Sequence, residues 1–130
     1  MDICSGNRVS LPAGVFGDLG VYRHEVFVEL LGWDLQTPDG CESDQFDRPD
    51  TVYVVARTDE GRITCCARLL PTTKPYLLGE VFPQLLNGLP PPVSDDIWEL
   101  SRFAAVDVSD ASMTPRGQMS SPCTYALLKG

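Results

Sequence analysis

The chain has 130 residues, of which 43% are apolar and 22% charged, with a formal net charge of −8. That length supports one hydrophobic core and is too short for two domains. No apolar run approaches the roughly 18 residues of a membrane span, and the start Met1-Asp2-Ile3-Cys4 has neither the basic nor the apolar part of a signal peptide. The reading is a cytoplasmic protein with no membrane partner. Its acid excess and lack of a basic cluster exclude nucleic acid as the main partner and favour small cationic ligands.

In chain order, residues 18–31 read as an amphipathic helix, with Leu19, Tyr22, Val26, Phe27 and Leu30 on one face. Asp18 is its expected N-cap and Gly32 its stop. Arg23 and Phe27, four apart, share a side of it, and Trp33 follows its end. Residues 34–50 form a long acidic loop. Thr51 to Arg57 reads as a buried strand, Asp59-Glu60-Gly61 as a turn, and Arg62 to Leu70 as the returning strand of a hairpin. A short helix is expected around 80–86, then a rigid Pro90-Pro91-Pro92 linker. Ile97 to Val106 is a third strand and residues 107–119 a polar loop. A helix is expected from Ser121, carrying Tyr125, Ala126, Leu127 and Leu128, so that nothing covers the open edge of the third strand.

Several constellations carry no chemistry. The five cysteines have no C-x-x-C spacing and read as small apolar fillers, with Cys65 and Cys66 on opposite faces of a strand. The single histidine, His24, has no nucleophile motif beside it and reads as a solvated helix residue. Asp44, Asp47 and Asp50 do not follow the ligand pattern of a calcium loop, and no metal is expected. The stretch Ile97-Trp98-Glu99-Leu100-Ser101-Arg102-Phe103-Ala104 differs from these, because charges inside an apolar strand are paired or functional. Arg68 is a second such case. Two readings stay open: an ion-pair network of Arg68, Arg102, Glu99 and the loop aspartates, or a functional site.

Arg23, Phe27 and Trp33, then Asp44-x-x-Asp47, then Ala67-Arg68-Leu69-Leu70-Pro71-Thr72-Thr73 with Pro75-Tyr76, then Trp98-Glu99-Leu100-Ser101-Arg102-Phe103-Ala104 resemble the acyl-homoserine lactone synthase (LuxI-type) family, in its order and approximate spacing. The resemblance covers roughly residues 15–129. It implies an α/β fold like that of the GCN5-related acetyltransferases, a mixed, strongly twisted sheet flanked by helices. Family members are about half as long again, so it also implies a chain incomplete at the C-terminus, the N-terminal part of a single domain. The implied reaction moves an acyl chain from acyl carrier protein, or from coenzyme A, to the amine of S-adenosylmethionine, a substrate rather than a cofactor. The products are acyl-homoserine lactone, a quorum-sensing signal, and methylthioadenosine.

By the same resemblance Arg23, Phe27, Trp33, Asp44 and Phe103 line the adenosylmethionine site, and Glu99, Arg102, Asp47 and Arg68 carry or brace the chemistry. Asp44 and Asp47 hold the amine side and pair with Arg68 and Arg102; Glu99 is the candidate base. In a regular strand Glu99, Ser101 and Phe103 share a face that Arg102 does not. Either a bulge re-aims one of them, or Arg102 is structural, a partner of Asp47. Two rivals stand beside this reading. One is an acyl-coenzyme A N-acyltransferase of the same fold, whose phosphate-cradling pattern Arg116-Gly117-Gln118 lacks. The other is a catalytically incomplete fragment.

Overall fold

The computed structural model of the chain describes residues 1–35, 37, 39–81, 83–108 and 125–129, with 83, 85 and 125–129 described by backbone alone. Strands β1 (Asp2–Gly6), β2 (Val52–Arg57), β3 (Ile63–Pro71), β4 (Ile97–Ala104) and β5 (Tyr125–Lys129) lie in that order in one sheet. Every ladder among the described residues is antiparallel; the parallel pairing that a mixed sheet implies is not among them. The β2–β3 hairpin follows the expected turn. The Thr58 N–H donates to the Arg62 carbonyl at 2.8 Å, and Gly61 takes φ +87°, a conformation open to glycine and costly for other residues.

The expected first helix is longer at its start and changes character half-way. It begins as α1 (Val15–Arg23), with Gly14 at φ +83° as its N-cap rather than Asp18, which sits within the first turn. From His24 to Leu30 it continues as a π-helix. Gly32, at φ +74°, follows its last turn, as a helix stop in the left-handed region does. At Gly20 an added Cβ would stand 3.2 Å from the Cys41 Cβ, so the acidic loop lies directly against α1.

Two other expectations are corrected. Tyr125 to Leu128 is not helical: Tyr125–Lys129 is β5, paired antiparallel with β4 from Ser101↔Tyr125 to Ile97↔Lys129. The unpaired N–H and C=O groups of β4 offer this segment a ladder, and that outweighs the helix propensity of Ala-Leu-Leu-Lys. The edge of β4 is therefore covered. Within the short helix expected around 80–86 stands a 3₁₀ turn, Pro83–Leu86, and a separate α-helical turn, α2 (Leu77–Glu80), precedes it. Strand β1 was not foreseen at all. The Ser121 helix start, Arg116-Gly117-Gln118, Cys123 and most of the 107–119 loop lie outside the described residues.

One face of the sheet carries two apolar clusters. Leu19, Tyr22, Val26 and Phe27 pack with Tyr53, Val55, Cys66 and Ala104 in the first; Phe46, Leu70, Tyr76, Leu77 and Leu78 form the second. On β3, Cys66 belongs to the first cluster and Leu70 to the second. Arg68, between them on the same face, is fully buried. That is where the charges gather. The thiols of Cys4, Cys41, Cys65 and Cys66 are free. Burial pushes the Cys66 thiol up to about 12, so it is an inert filler.

Candidate functional site

Three arginines from three elements converge on three acids of one loop. Arg23, the last residue of α1, donates from Nε to Glu42 Oε1 at 2.9 Å and from Nη1 and Nη2 to Asp47 at 2.7 and 3.0 Å. Arg68 on β3 reaches Asp44 Oδ1 at 2.6 Å and Asp47 Oδ2 at 3.2 Å through Nη1, while its Nε donates to Ser101 Oγ at 3.0 Å. Arg102 on β4 donates from Nε to Glu42 Oε1 at 2.8 Å and from Nη2 to Asp44 Oδ2 at 3.1 Å. The Tyr53 hydroxyl completes Asp47 at 2.8 Å. Three positive and three negative charges balance in this cluster, as burial of charge requires.

The loop presents its acids through its own turns. The Phe46 N–H donates to Asp44 Oδ1, the Asp44 N–H to Asp47 Oδ2, and the Glu42 N–H to the Gly20 carbonyl on α1. Arg8 also donates to the Asp47 carbonyl. Asp50 stays outside the cluster and pairs with Arg48 and Lys74. Burial raises the Asp47 carboxyl, but the charges and hydrogen bonds of Arg23 and Arg68 outweigh it and hold the group well below the usual carboxylate range. The side chains of Glu42 and Asp47 are 1% and 3% exposed, whereas that of Asp44 is 24% exposed. Asp44 is thus the acid of the cluster that meets solvent.

The sequence conflict over Arg102 is resolved by a bulge. Between the pairs Arg68↔Ser101 and Cys66↔Ala104, β4 carries one residue more than β3, and Arg102 adopts φ +51°. Glu99, Ser101 and Arg102 all turn inward, and Phe103, 39% exposed, is left out of the assembly. Arg102 pairs with Glu42 and Asp44, not with Asp47 as one expectation had it. Its guanidinium carbon lies 5.9 Å from the Phe27 ring centre and 5.5 Å from that of Trp33. Those two rings are stacked, 4.6 Å apart and inclined by 25°. The result is an aromatic wall with a fixed cation against it.

Glu99 is fully buried and, among the described residues, stands in no ion pair. Its Oε1 and Oε2 accept the backbone N–H groups of Leu77 and Leu78 at 3.0 and 2.9 Å, closing the start of α2. Burial raises its pKa, against the opposing pull of those amides and the Arg68 charge. Two donors remain open: Arg68 Nη2 and Trp33 Nε1 are buried with no partner among the described residues. Among those residues no group of three or more His, Cys, Asp or Glu side chains could hold a metal ion, and no helix is long and apolar enough to cross a membrane.

Residues 13–130 match the sequence profile of the autoinducer synthase family. The chain belongs to that family. A curated acyl-homoserine-lactone synthase of Acinetobacter nosocomialis is 53% identical over 129 residues, covering 99% of this chain and 70% of that protein. The crystal structure of TofI in a ternary complex with an inhibitor and MTA superposes with a TM-score of 0.72 at 55% identity, over 81% of this chain and 57% of that one. BjaI, a CoA-dependent acyl-homoserine lactone synthase solved with SAM and isopentyl-CoA, gives 0.75 at 38% identity, over 84% and 53%. The chain therefore spans 70% of that curated relative and somewhat more than half of each of these solved synthases. The α/β fold expected from the sequence is the fold these synthases share.

The structure brings Arg23, Phe27, Trp33, Asp44, Asp47, Arg68 and Arg102 into one assembly and sets Glu99 beside it. Glu42, Tyr53 and Ser101 belong there too and were not foreseen. A charge balance could have found Glu42, since three arginines inside apolar segments need a third acid besides Asp44 and Asp47.

Proposed function

We propose that this autoinducer synthase transfers an acyl group from acyl carrier protein or coenzyme A to the amine of S-adenosylmethionine, in the cytoplasm, and releases an acyl-homoserine lactone and methylthioadenosine. The observation that carries this reading is the Phe27–Trp33 stack beside a charge-balanced cluster of arginines and acids that meets solvent at the Asp44 carboxylate. Ring faces stack with adenine and attract a sulfonium, and the carboxylates suit an ammonium. The open N–H groups of Trp33 and Arg68 suit acceptor atoms of the same ligand. The MTA in the TofI complex and the SAM in the BjaI complex are consistent with this choice.

For transfer, the amine must first be neutral, and an α-amino group with a pKa of about 8 needs only a modest base. Glu99 fills that role in this reading. Two amides occupy its oxygens, but a carboxylate has about four lone-pair sites in all, and burial raises its proton affinity. The neutral amine attacks the thioester carbonyl and the C–S bond breaks; Glu99, having passed the first proton to solvent, takes the second from the acylated nitrogen and hands it to the departing carrier thiolate. Backbone donors freed at the Arg102 bulge meet the oxyanion. The carboxylate of the acylated methionyl group then attacks its own γ-carbon, closing the lactone and expelling methylthioadenosine.

The test is mass spectrometry of medium from bacteria expressing the chain, compared with Glu99→Ala. Acyl-homoserine lactone made by the parent and lost in the variant is the expected result. Parent cells that yield none would overturn the reading for these 130 residues.

A further inference from the structure

Nothing in the sequence signals a π-helix, yet residues His24–Leu30 form one directly after Arg23. Such turns are rare and cost hydrogen-bond quality, and they recur at functional sites. Here the backbone shows what the wider turn achieves. The Leu31 N–H donates to the Val26 carbonyl, five residues back, at 2.9 Å, and the Trp33 N–H to the Phe27 carbonyl, six back, at 2.8 Å. The side chains repeat the spacing: His24 Nε2 and Glu29 Oε1, five apart, meet at 3.1 Å. At 3.6 residues per turn a continued α-helix would place positions five or six apart on different sides. The π-turn instead ties Trp33 back onto Phe27, and the rings stack where Arg102 lies against both.

We propose that the π-turn His24–Leu30 is the positioning element of the aromatic pair: its extra residue, not the identity of the rings alone, brings the buried Phe27 and Trp33 into one stack against Arg102 while Arg23 stays locked to the acidic loop. Arg23 fixes the helix at its α end through Glu42 and Asp47, so adjustment of the register must fall after it. The ligand part of this inference rests on the proposed function.

Deleting Glu29, whose side chain is 64% exposed, converts the Leu31-to-Val26 bond into an α-helical one. The deletion variant is compared with the parent and with Glu29→Ala by near-ultraviolet circular dichroism and by calorimetric titration with methylthioadenosine. The expected result is a folded variant that has lost the dichroism of the ring pair and binds roughly tenfold more weakly, the loss of about one base-stacking contact. Glu29→Ala, an exposed pair removed with the register kept, behaves as the parent. A folded deletion variant with parental dichroism and binding overturns the proposal. If that deletion does not fold, the same readouts are taken on a variant that lacks the half-buried Leu30 instead, which removes the same extra residue and leaves Phe27 and Trp33 five apart. Failure of both to fold overturns it too, because the turn is then a requirement of the core. A parent that ignores methylthioadenosine sinks the functional reading alone, and the dichroism still decides the role of the turn.

Discussion

Arg102 and Glu42, sixty residues apart in sequence, meet at 2.8 Å, and the Glu42 oxygen that takes Arg102 also takes Arg23 at 2.9 Å. One buried carboxylate thus ties the end of α1 to the bulge of β4. Removing it leaves Arg23 with Asp47 alone and Arg102 with Asp44 alone, three buried cations against two acids. Glu42→Ala is expected to cost about 3–5 kcal/mol, the scale for breaking a buried pair from one side. Urea unfolding measures this as a lower midpoint at unchanged slope. A loss below about 1 kcal/mol would show that the arginines find water or other partners.

Asp47 makes the protein sensitive to acid. Its native pKa lies below the unfolded value of about 3.9 despite the opposing effect of burial. A depressed carboxyl contributes stability that is fully present above the unfolded pKa and is lost as pH falls through the native one. Glu99 has the opposite sign: its native pKa is raised, so protonating it as pH falls favours the folded state. Unfolding free energy followed from pH 5 to pH 3 should therefore fall less steeply in Asp47→Asn than in the parent, although the variant is less stable at pH 7. Equal slopes would remove Asp47 from the acid response.

The sequence exposed most of this site because its residues break local rules. Arg68 and Arg102 stand in strands where charge is costly, and Asp44 and Asp47 stand in a loop with few local cations. What stayed hidden depends on backbone placement between distant segments. The bulge at Arg102 appears only as a register shift between two strands, since a single strand cannot show how many residues face it. The apolar spacing Leu19, Tyr22, Val26 runs from α1 into the π-turn without a break, and the turn shows only in contacts five residues apart, Leu31 N–H to the Val26 carbonyl and His24 to Glu29. Strand β5 was hidden for another reason: Ala-Leu-Leu-Lys is helical by propensity, and the exposed ladder of β4 decides its state.

Tyr53 shows how a strand residue outside every motif supports the cluster. Its ring packs against Phe16 and its hydroxyl donates to Asp47 at 2.8 Å. Burial raises the hydroxyl pKa and the Asp47 charge raises it further, so it is a protonated donor at neutral pH. Tyr53→Phe keeps the ring and removes the bond to a charged acceptor, for a loss of about 2 kcal/mol. Thermal unfolding of the two proteins at pH 7 checks this, and an unchanged midpoint would mean that water replaces the hydroxyl.

Glu99 carries two assignments that one pair of variants separates. As a cap it holds the amides of Leu77 and Leu78; as a base it takes a proton from the substrate amine. Glu99→Gln keeps one carbonyl oxygen for those amides but cannot accept the proton, whereas Glu99→Ala loses both functions. If the base assignment holds, Glu99→Gln melts closer to the parent than Glu99→Ala does, yet its kcat falls by roughly 10²–10⁴-fold, the usual contribution of a positioned base. The same variant should lose the acidic limb of the pH profile of kcat/KM, which in the parent reports the raised carboxyl. Activity within tenfold of the parent in Glu99→Gln, combined with a collapse of both activity and melting temperature in Glu99→Ala, would assign Glu99 to α2 alone. The amine proton would then have to leave through Asp44, the acid of the cluster in contact with solvent.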